Sequence, residues 1–168
     1  VCGSQGSGKS TFLANIALTL GVKNRTELLN LYILDFGNSA LIQLRNLPQT
    51  ADYISFEEEE KLTKFIKLMD EEIKYRKRLF AKDNSISFVH YNEKNKLPAI
   101  IIFIDNYDVI KELSTDPESF INKLSRDGVG VGIYMAVSAT RQGAIRYSIL
   151  NNFKNKIAQY LYDKTDTL

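Results

Sequence analysis

The chain of 168 residues has very little cysteine and no long hydrophobic run. Its single cysteine, Cys2, cannot form an internal disulfide, which suits a reducing compartment. Since small buried thiols usually serve packing, we expect Cys2 to be the buried end of a strand rather than a redox centre. No stretch approaches the ~18 consecutive apolar residues of a membrane span. These absences argue against a disulfide-stapled fold and against a membrane-spanning domain.

The chain also has only a small excess of positive over negative charge, and only one histidine. The net charge of +2 is too small to indicate a nucleic-acid surface, because such a surface normally appears as a clustered excess of Lys and Arg. Composition therefore neither requires nor excludes DNA binding. The one histidine, His90, has no carboxylate or second ligand near it in the sequence, so we expect neither catalysis nor metal binding there.

The chain does have 44% apolar residues, which is enough for the core of one domain of ordinary size. We expect a single domain over residues 1–168. Only Val1 and Cys2 precede the first motif, where a complete strand is expected, and the chain begins without Met. We therefore expect this domain to be a fragment of a longer, multidomain polypeptide.

The first residues contain a glycine-rich motif, GSQGSGKS at residues 3–10, which matches G-x-x-x-x-G-K-[ST]. Its glycines let successive backbone N–H groups point inward at an anion, and the helix that follows adds the positive end of its dipole. That helix is predicted by the spacing of Phe12, Leu13, Ile16, Ala17 and Leu20, with Gly21 at its end. The motif therefore predicts a phosphate-binding loop.

The residue types of the loop indicate what each would do. Lys9 is expected to reach the β- and γ-phosphates of a nucleotide, and Ser10 is expected to hold Mg²⁺. The residues expected to contact the nucleotide are Gly3, Ser4, Gln5, Gly6, Ser7, Gly8, Lys9, Ser10 and Thr11.

Two short apolar runs each end in an aspartate, residues 31–34 before Asp35 and residues 99–104 before Asp105. Such runs are typical of buried parallel strands, whose carboxyl ends form the ligand edge of an α/β sheet. Asp105 is expected to hold Mg²⁺ directly or through water, as the aspartate of a Walker B strand does. For Asp35 two roles stay open, a ligand contact and a loop cap.

The rest of the chain alternates between helix and strand signals. A short helix is predicted over residues 40–44, and a capping box over residues 55–58 opens a long helix. The apolar face of that helix consists of Leu62, Phe65, Ile66, Met69, Ile73 and Phe80. Further helices are predicted from Pro117 and over residues 144–153, further strands over residues 131–137 and 157–161, and a loop over residues 83–97. This alternation predicts an α/β fold, a mostly parallel sheet with helices on both faces.

Basic residues are concentrated near the end of the long helix: Lys74, Arg76, Lys77 and Arg78. Together with the acidic residues 57–60 at its start, they complement the helix dipole. We interpret the cluster as a solvated face rather than as a nucleic-acid patch.

Several motifs occur in the order found in a known ATPase family. They are the phosphate loop, the strand of residues 31–37, the long helix closing at residues 78–81, the polar segment to Tyr91 and Asn92, the Walker B strand, and the closing residues 152–153 and 156–158. Over nearly its whole length the chain thus resembles the FtsK/SpoIIIE ATPase family. The resemblance implies a RecA-like P-loop fold, assembly into rings or stacks, and ATP-driven movement of DNA or protein.

Three stretches are more similar to the C-terminal ATPase domains of type VII secretion proteins, the EccC/EssC group, than to DNA translocases. They are LDFG at residues 34–37, DNYD at residues 105–108, and SATR at residues 138–141 with Arg146. This resemblance implies a motor that exports small helical proteins of the WXG type, with ATP and Mg²⁺ as cofactors. It also implies neighbouring ATPase domains of the same chain and a homo-oligomer, such as a hexamer, as partners, and it makes DNA an unexpected one. The parent protein would lie at the cytoplasmic side of the bacterial membrane, anchored through its other parts.

Asn106 departs from the pattern of active members, which place Glu directly after the Walker B aspartate. Glutamate orients and deprotonates the attacking water, and an amide cannot act as that base. Because losing a general base typically costs about 10²–10⁴ in rate, we expect weak or degenerate hydrolysis, with Lys9 and Asp105 as the remaining catalytic candidates. Two alternatives stay open: an active DNA translocase, and a pseudo-ATPase that serves only as an interaction module for secretion signals.

The other polar residues around the predicted site have weaker roles. Asp108 lies beyond the strand end, so we do not expect it to replace the missing base. Ser138 stands where DNA translocases carry a glutamine sensor, which weakens sensing of the γ-phosphate. Arg141 and Arg146 are candidates for reaching phosphate or a neighbouring subunit, with surface or packing roles as the alternative. Lys156 is expected to be solvated.

Overall fold

The computed structural model describes residues 1–113 and 116–162. Along them, helices and strands follow in the order α1 (Lys9–Lys23), β1 (Leu29–Asp35), β2 (Thr50–Ser55), α2 (Glu59–Asp83), α3 (Phe88–Asn92), β3 (Ala99–Asp105), α4 (Pro117–Asp127), β4 (Ile133–Val137) and α5 (Tyr147–Leu150). The four strands form one sheet of order β2-β1-β3-β4, and every pairing is parallel. The predicted α/β fold with a parallel sheet is confirmed. The last residues of the predicted domain, 163–168, lie outside the described part.

The side chains of the sheet pack into two apolar clusters, one on each face. Successive residues of β3 point to opposite faces, as in any strand. Ile102 packs in the cluster that contains Met69 of α2 and Ile121 of α4, whereas Phe103 packs in the cluster that contains Leu13 of α1. Helices therefore cover both faces, as predicted.

Helix α1 does not end at Gly21, and that prediction is wrong. Gly21 is buried inside the helix, where a Cβ atom would lie only 3.3 Å from the side-chain oxygen of Gln49. Gln49 Nε2 donates to the Gly21 carbonyl at 2.8 Å. The glycine therefore serves a close contact with a neighbouring segment, and the helix continues to Lys23, beyond which the Asn24 side chain donates to the Leu20 carbonyl at 2.8 Å.

Helix α2 has the predicted core face, but its basic end is not uniformly solvated. Arg76 is 1% exposed and donates to the backbone carbonyls of Val131 at 3.0 Å and Pro98 at 2.9 Å. Its Nε also pairs with Glu72 Oε1 at 2.7 Å. The interpretation as a solvated cluster is thus wrong for Arg76, which joins α2 to the segments that lead into β3 and β4. It holds for Lys74, Lys77 and Arg78, which are exposed.

Around α2, the capping box and the loop prediction are each correct in part. Glu58 Oε2 accepts from the Ser55 backbone N–H at 2.9 Å, as a capping box requires. The Ser55 hydroxyl, however, donates to the same carboxylate at 3.2 Å instead of capping a helical N–H. The predicted loop at residues 83–97 contains helix α3, which the Ser87 side chain caps by accepting from His90 N at 3.2 Å.

Strand β2 was not predicted, because at the edge of the sheet only Tyr53 and Ile54 are buried and its other residues are polar or partly exposed. The predicted strand at residues 131–137 begins at Ile133, and the short helix predicted at residues 40–44 is a 3₁₀ turn over Ile42–Asn46. None of the helices in the described ranges has the length and apolar character needed to cross a bilayer.

The end of the chain is less regular than predicted. Helix α5 covers only Tyr147–Leu150, because Asn152 and Phe153 donate their N–H groups three residues back in turns rather than four residues back. The predicted final strand is reduced to a parallel bridge between Ala158 and Cys2. Residues 157–162, called the closing segment below, nevertheless run beside the start of the chain.

Candidate nucleotide-binding site

The phosphate loop lies at the carboxyl edge of the sheet. Cys2 is buried and bridges both Ala139, just after β4, and Ala158 of the closing segment, so it is a buried strand end as expected. Gly6 and Gly8 have φ angles of 77° and 92°, which side-chain-bearing residues rarely adopt. The chain then enters α1, so that the positive end of the helix dipole faces the loop.

The side chain of Lys9 folds back over the loop. Its ammonium group donates to the carbonyl oxygens of Gly3 at 2.8 Å and Ser4 at 3.0 Å. The cation is therefore held within the loop, at the place where an anion bound by the loop would meet it.

Asp105 is the centre of a hydroxyl-rich cluster. Ser10 Oγ donates to its Oδ2 at 2.7 Å, and Ser138 Oγ donates to its Oδ1 at 2.5 Å. Asp105 is 3% exposed, so both carboxylate oxygens depend on these partners. The structure thus brings together the two residues expected to hold Mg²⁺, Ser10 and Asp105, although 95 positions separate them.

Hydroxyl and carboxylate oxygens are the ligands that Mg²⁺ prefers, so Ser10 and Asp105 fit the ion. Within the described ranges, no group of three or more His, Cys, Asp or Glu side chains could hold a metal ion. A Mg²⁺ ion at this site would therefore need oxygens from water or from a phosphate ligand, as is usual for nucleotide-bound magnesium.

Asn106 makes its hydrogen bonds with residues that follow the neighbouring strands β1 and β4. Its backbone is left-handed, with φ 63°, a conformation that asparagine tolerates better than most residues. Its N–H donates to Ser138 Oγ at 2.9 Å, and its side-chain amide donates to the Phe36 carbonyl at 3.3 Å. The residue at this position thus joins the ends of β1 and β4.

Asp35 acts as a loop cap, which favours one of the two roles left open for it. It is 2% exposed and accepts from the N–H groups of Gly37 at 3.2 Å and Leu41 at 2.8 Å. Its third partner is the hydroxyl of Tyr53, at 2.9 Å. Burial, followed by the hydrogen bond to this carboxylate, raises the pKa of Tyr53 to about 12.

Two of the charged candidates are occupied by structural partners. Both carboxylate oxygens of Asp108 accept from Thr140, one from its N–H at 2.8 Å and one from its hydroxyl. Arg146 pairs through Nη2 with Glu118 Oε2 at 2.8 Å, and the other oxygen of Glu118 accepts from the Tyr107 hydroxyl at 3.0 Å. Burial and the adjacent Glu118 carboxylate raise the pKa of Tyr107. The side chain of Arg146 is 68% exposed, so this ion pair holds its guanidinium at the surface.

Arg141 and Lys156 are exposed. Within the described part of the chain, neither side chain makes a hydrogen bond or an ion pair. Arg141 follows Thr140 directly, at the ligand edge of the sheet.

Sequence reasoning missed the contribution of the closing segment. The Tyr160 carbonyl accepts from Ser4 N at 2.8 Å, and the Ser4 hydroxyl accepts from Tyr162 N at 3.1 Å. Ser7 Oγ donates to Gln159 Oε1 at 3.3 Å. No local motif marks these contacts; the predicted final strand at residues 157–161 and the family-like closing residues 156–158 pointed only to the region.

These features define a P-loop domain of the RecA-like α/β class: a glycine-rich loop before a helix, and a buried aspartate, Asp105, at the end of the parallel strand β3. The chain belongs to the FtsK/SpoIIIE family, whose model matches residues 1–167.

The chain is similar in sequence and structure to proteins of type VII (ESX) secretion systems. It is 42% identical over 168 residues to the ESX secretion system protein EccC of Geobacillus thermodenitrificans, covering 99% of this chain and 11% of that protein. It is 33% identical to the type VII secretion system protein EssC of Staphylococcus aureus, covering 98% of this chain and again 11% of the relative. The solved structure of EssC ATPases 2 and 3 from G. thermodenitrificans superposes with a TM-score of 0.94 at 42% identity, covering 98% of this chain and 32% of the other. The chain therefore spans about a tenth of the length of the EccC and EssC proteins to which it was compared by sequence.

Proposed function

We propose that this chain is a nucleotide-binding domain of a type VII secretion motor, which binds MgATP and passes its nucleotide state to neighbouring domains. The observation that carries the proposal is the direct contact between Ser10 Oγ and Asp105 Oδ2, 2.7 Å, beside a complete phosphate loop. The 42% identity to EccC over 99% of the chain supports the choice of motor.

Different residues of the chain would bind the phosphates and the Mg²⁺ ion of MgATP. Backbone N–H groups of the loop and the start of α1 would hold the phosphates, and Lys9 would neutralise the β- and γ-phosphates. Ser10 and Asp105 would hold Mg²⁺, which supplies charge neutralisation between the phosphates when it is bound. Ser138 fixes the Asp105 carboxylate, so that its orientation does not depend on the ion.

Hydrolysis by this domain is proposed to be slow. The position that carries the general base in active members holds Asn106, whose amide is engaged by Phe36. Asp108, the nearest further carboxylate along the chain, is engaged by Thr140 through both oxygens. Neither residue offers a free carboxylate to a water molecule at the phosphate loop.

We propose the partners from the relatives and from the exposed position of Arg141. Neighbouring ATPase domains of the same polypeptide would pack against this one, in a homo-oligomeric parent at the cytoplasmic side of the membrane that exports small helical proteins. Arg141, exposed and unpaired among the described residues, would contact a neighbouring subunit or the phosphate held between subunits.

Isothermal titration of the chain with MgATP tests the proposal. We expect saturable binding, and Lys9→Ala should weaken it at least about tenfold, because a charge-assisted contact to phosphate is lost. Lys64→Ala is the matched control, since Lys64 is an exposed lysine on α2. Absence of binding at millimolar MgATP would leave only the interaction-module alternative, and equal affinities of wild type and Lys9→Ala would contradict the assignment of the phosphate loop.

A second measurement separates the secretion motor from a DNA translocase. We expect double-stranded DNA to leave ATP hydrolysis unchanged at low salt, where non-specific DNA binding is strongest. Stimulation of hydrolysis by DNA under these conditions would instead favour the translocase.

A further inference from the structure

The closing segment places two aromatic rings beside the phosphate loop. Tyr160 and Tyr162 are 67% and 81% exposed, although large aromatic side chains usually lie inside. Their ring centroids are 5.3 Å apart and the rings are nearly perpendicular, at 83°. The two rings thus form an open corner, called the aromatic corner below.

The position of the aromatic corner is set by the loop itself. The backbone carbonyl of Tyr160 and the backbone N–H of Tyr162 both bond to Ser4, through its N–H and its hydroxyl. Upstream, Cys2 exchanges two backbone hydrogen bonds with the segment, donating to Ile157 O and accepting from Gln159 N, both at 2.8 Å. Any molecule whose phosphates lie in the loop therefore has the aromatic corner as a fixed neighbour.

The corner lies on the opposite side of the loop from Asp105 and Ser138. The strand that leads into the loop, marked by Cys2, has Ala139 beyond β4 on one side and Ala158 on the other. Asp105 ends β3 and Ser138 follows β4, both on the first side, while the aromatic corner follows Ala158 on the second. A nucleotide with its terminal phosphate towards Asp105 would direct its base towards the corner.

We propose that Tyr160 and Tyr162 form the stacking surface for the base of the bound nucleotide. This inference rests on the proposed nucleotide-binding function and adds the part of the ligand that the loop motif does not address. Aromatic side chains stack on any nucleobase because every base has a π-face, so the surface provides affinity with little selection between purines. ATP and GTP are thus expected to bind with similar affinity.

The test compares ligands with and without a base, in the wild-type chain and in Tyr160→Ala/Tyr162→Ala. By titration calorimetry, wild type should bind MgATP at least about tenfold more tightly than magnesium tripolyphosphate, which has no base. The double alanine variant should lose this difference and keep the wild-type affinity for tripolyphosphate. Tyr160→Phe/Tyr162→Phe, which retains the rings, should keep the affinity for MgATP, as should Tyr75→Ala on α2.

The outcomes separate this inference from the function on which it rests. If wild type binds neither ligand, the nucleotide-binding function fails. If wild type binds both ligands equally, or if the double alanine variant binds MgATP as wild type does while Lys9→Ala does not, only the stacking surface is overturned. If the double alanine variant loses tripolyphosphate as well, the segment supports the loop rather than the base, and the inference is also overturned.

Discussion

Asp108 and Thr140 are joined twice, since both oxygens of the Asp108 carboxylate accept hydrogen bonds from the N–H and the hydroxyl of Thr140. Asp108 follows β3 and Thr140 follows β4, so this pair joins the two chain segments that leave the sheet next to the phosphate loop. Ser138 and Asp105 make a second connection between the same segments, deeper in the molecule. The Walker B end and the segment that carries Arg141 are thus held as one unit.

This pairing predicts energetic coupling between the two side chains. In a double-mutant cycle of Asp108→Ala and Thr140→Val, the coupling free energy of unfolding should be about 1 kcal/mol, as is usual for residues in direct contact. Chemical denaturation of the four proteins measures it. Additive effects of the two substitutions would show that the contact contributes nothing to stability.

Asn106→Glu should raise the rate of ATP hydrolysis, because it restores a carboxylate directly after the Walker B aspartate. The gain should be at most about 10²–10⁴, the range associated with a general base. Asn106→Gln is the matched control. Glutamine has the same side-chain length as glutamate and experiences the same left-handed backbone strain, but it has no carboxylate. If the glutamate and glutamine variants hydrolyse ATP at equal rates in a steady-state assay, Asn106 does not limit the chemistry.

The left-handed backbone at Asn106 also predicts that the alanine and glycine variants at this position differ in stability. Asn106→Ala should lower the free energy of unfolding by about 1 kcal/mol more than Asn106→Gly, because alanine is disfavoured at φ 63° and glycine is not. Both substitutions remove the hydrogen bond to Phe36, so thermal or chemical denaturation isolates the backbone contribution. Equal stabilities would show that the left-handed conformation relaxes without cost.

Arg76→Ala should destabilise the fold by about 3 kcal/mol, because the buried carbonyl of Val131 and the partly buried carbonyl of Pro98 lose their donor. Arg76→Lys should recover only part of this loss, since an ammonium group cannot reproduce the geometry of a guanidinium fork. Arg78→Ala, an exposed arginine of the same helix, should change stability by no more than about 0.5 kcal/mol. Urea denaturation of the three variants measures these values, and similar effects of Arg76→Ala and Arg78→Ala would refute the structural role of Arg76.

Tyr53 makes stability depend on pH in the alkaline range. Its pKa is raised to about 12 in the folded chain, so the folded state keeps a proton that the unfolded state loses near pH 10. The stabilisation that the protonated Tyr53 contributes to the folded state is complete below about pH 10 and is lost as the pH rises through about 12. Tyr53→Phe should therefore show a smaller fall in the free energy of unfolding over this interval, measured by denaturation at several pH values. Parallel curves for the two proteins would contradict the raised pKa of Tyr53 in the folded chain.

The sequence was enough to predict strands β1, β3 and β4 of the parallel sheet and the contact between Ser10 and Asp105 at its carboxyl edge. A glycine-rich loop before an amphipathic helix and an apolar strand ending in Asp105 are both local patterns, and the rules for parallel sheets bring their ends to one edge. The proximity of Ser10 and Asp105 follows from these two patterns. The long helix was equally predictable, because its apolar face repeats at helical spacing.

Other features depend on contacts that no local pattern records. Arg76 has the same sequence signature as its solvated neighbours, and only the backbone carbonyls of distant segments make it a buried residue. Gly21 has the signature of a helix end but meets Gln49 instead. The side-chain direction of Asn106 follows from a left-handed backbone angle, and the nearness of Tyr160 to Ser4 follows from the order of segments in the sheet.

The two hydrogen bonds of Lys9 to the carbonyls of Gly3 and Ser4 make nucleotide binding an exchange reaction. Phosphate oxygens would compete with the loop's own carbonyls for one ammonium group, so the observed affinity is the difference between two sets of bonds. A loop that keeps its cation occupied in this way is already folded when the ligand arrives. Little conformational entropy of the loop then remains to be lost on binding, which favours affinity.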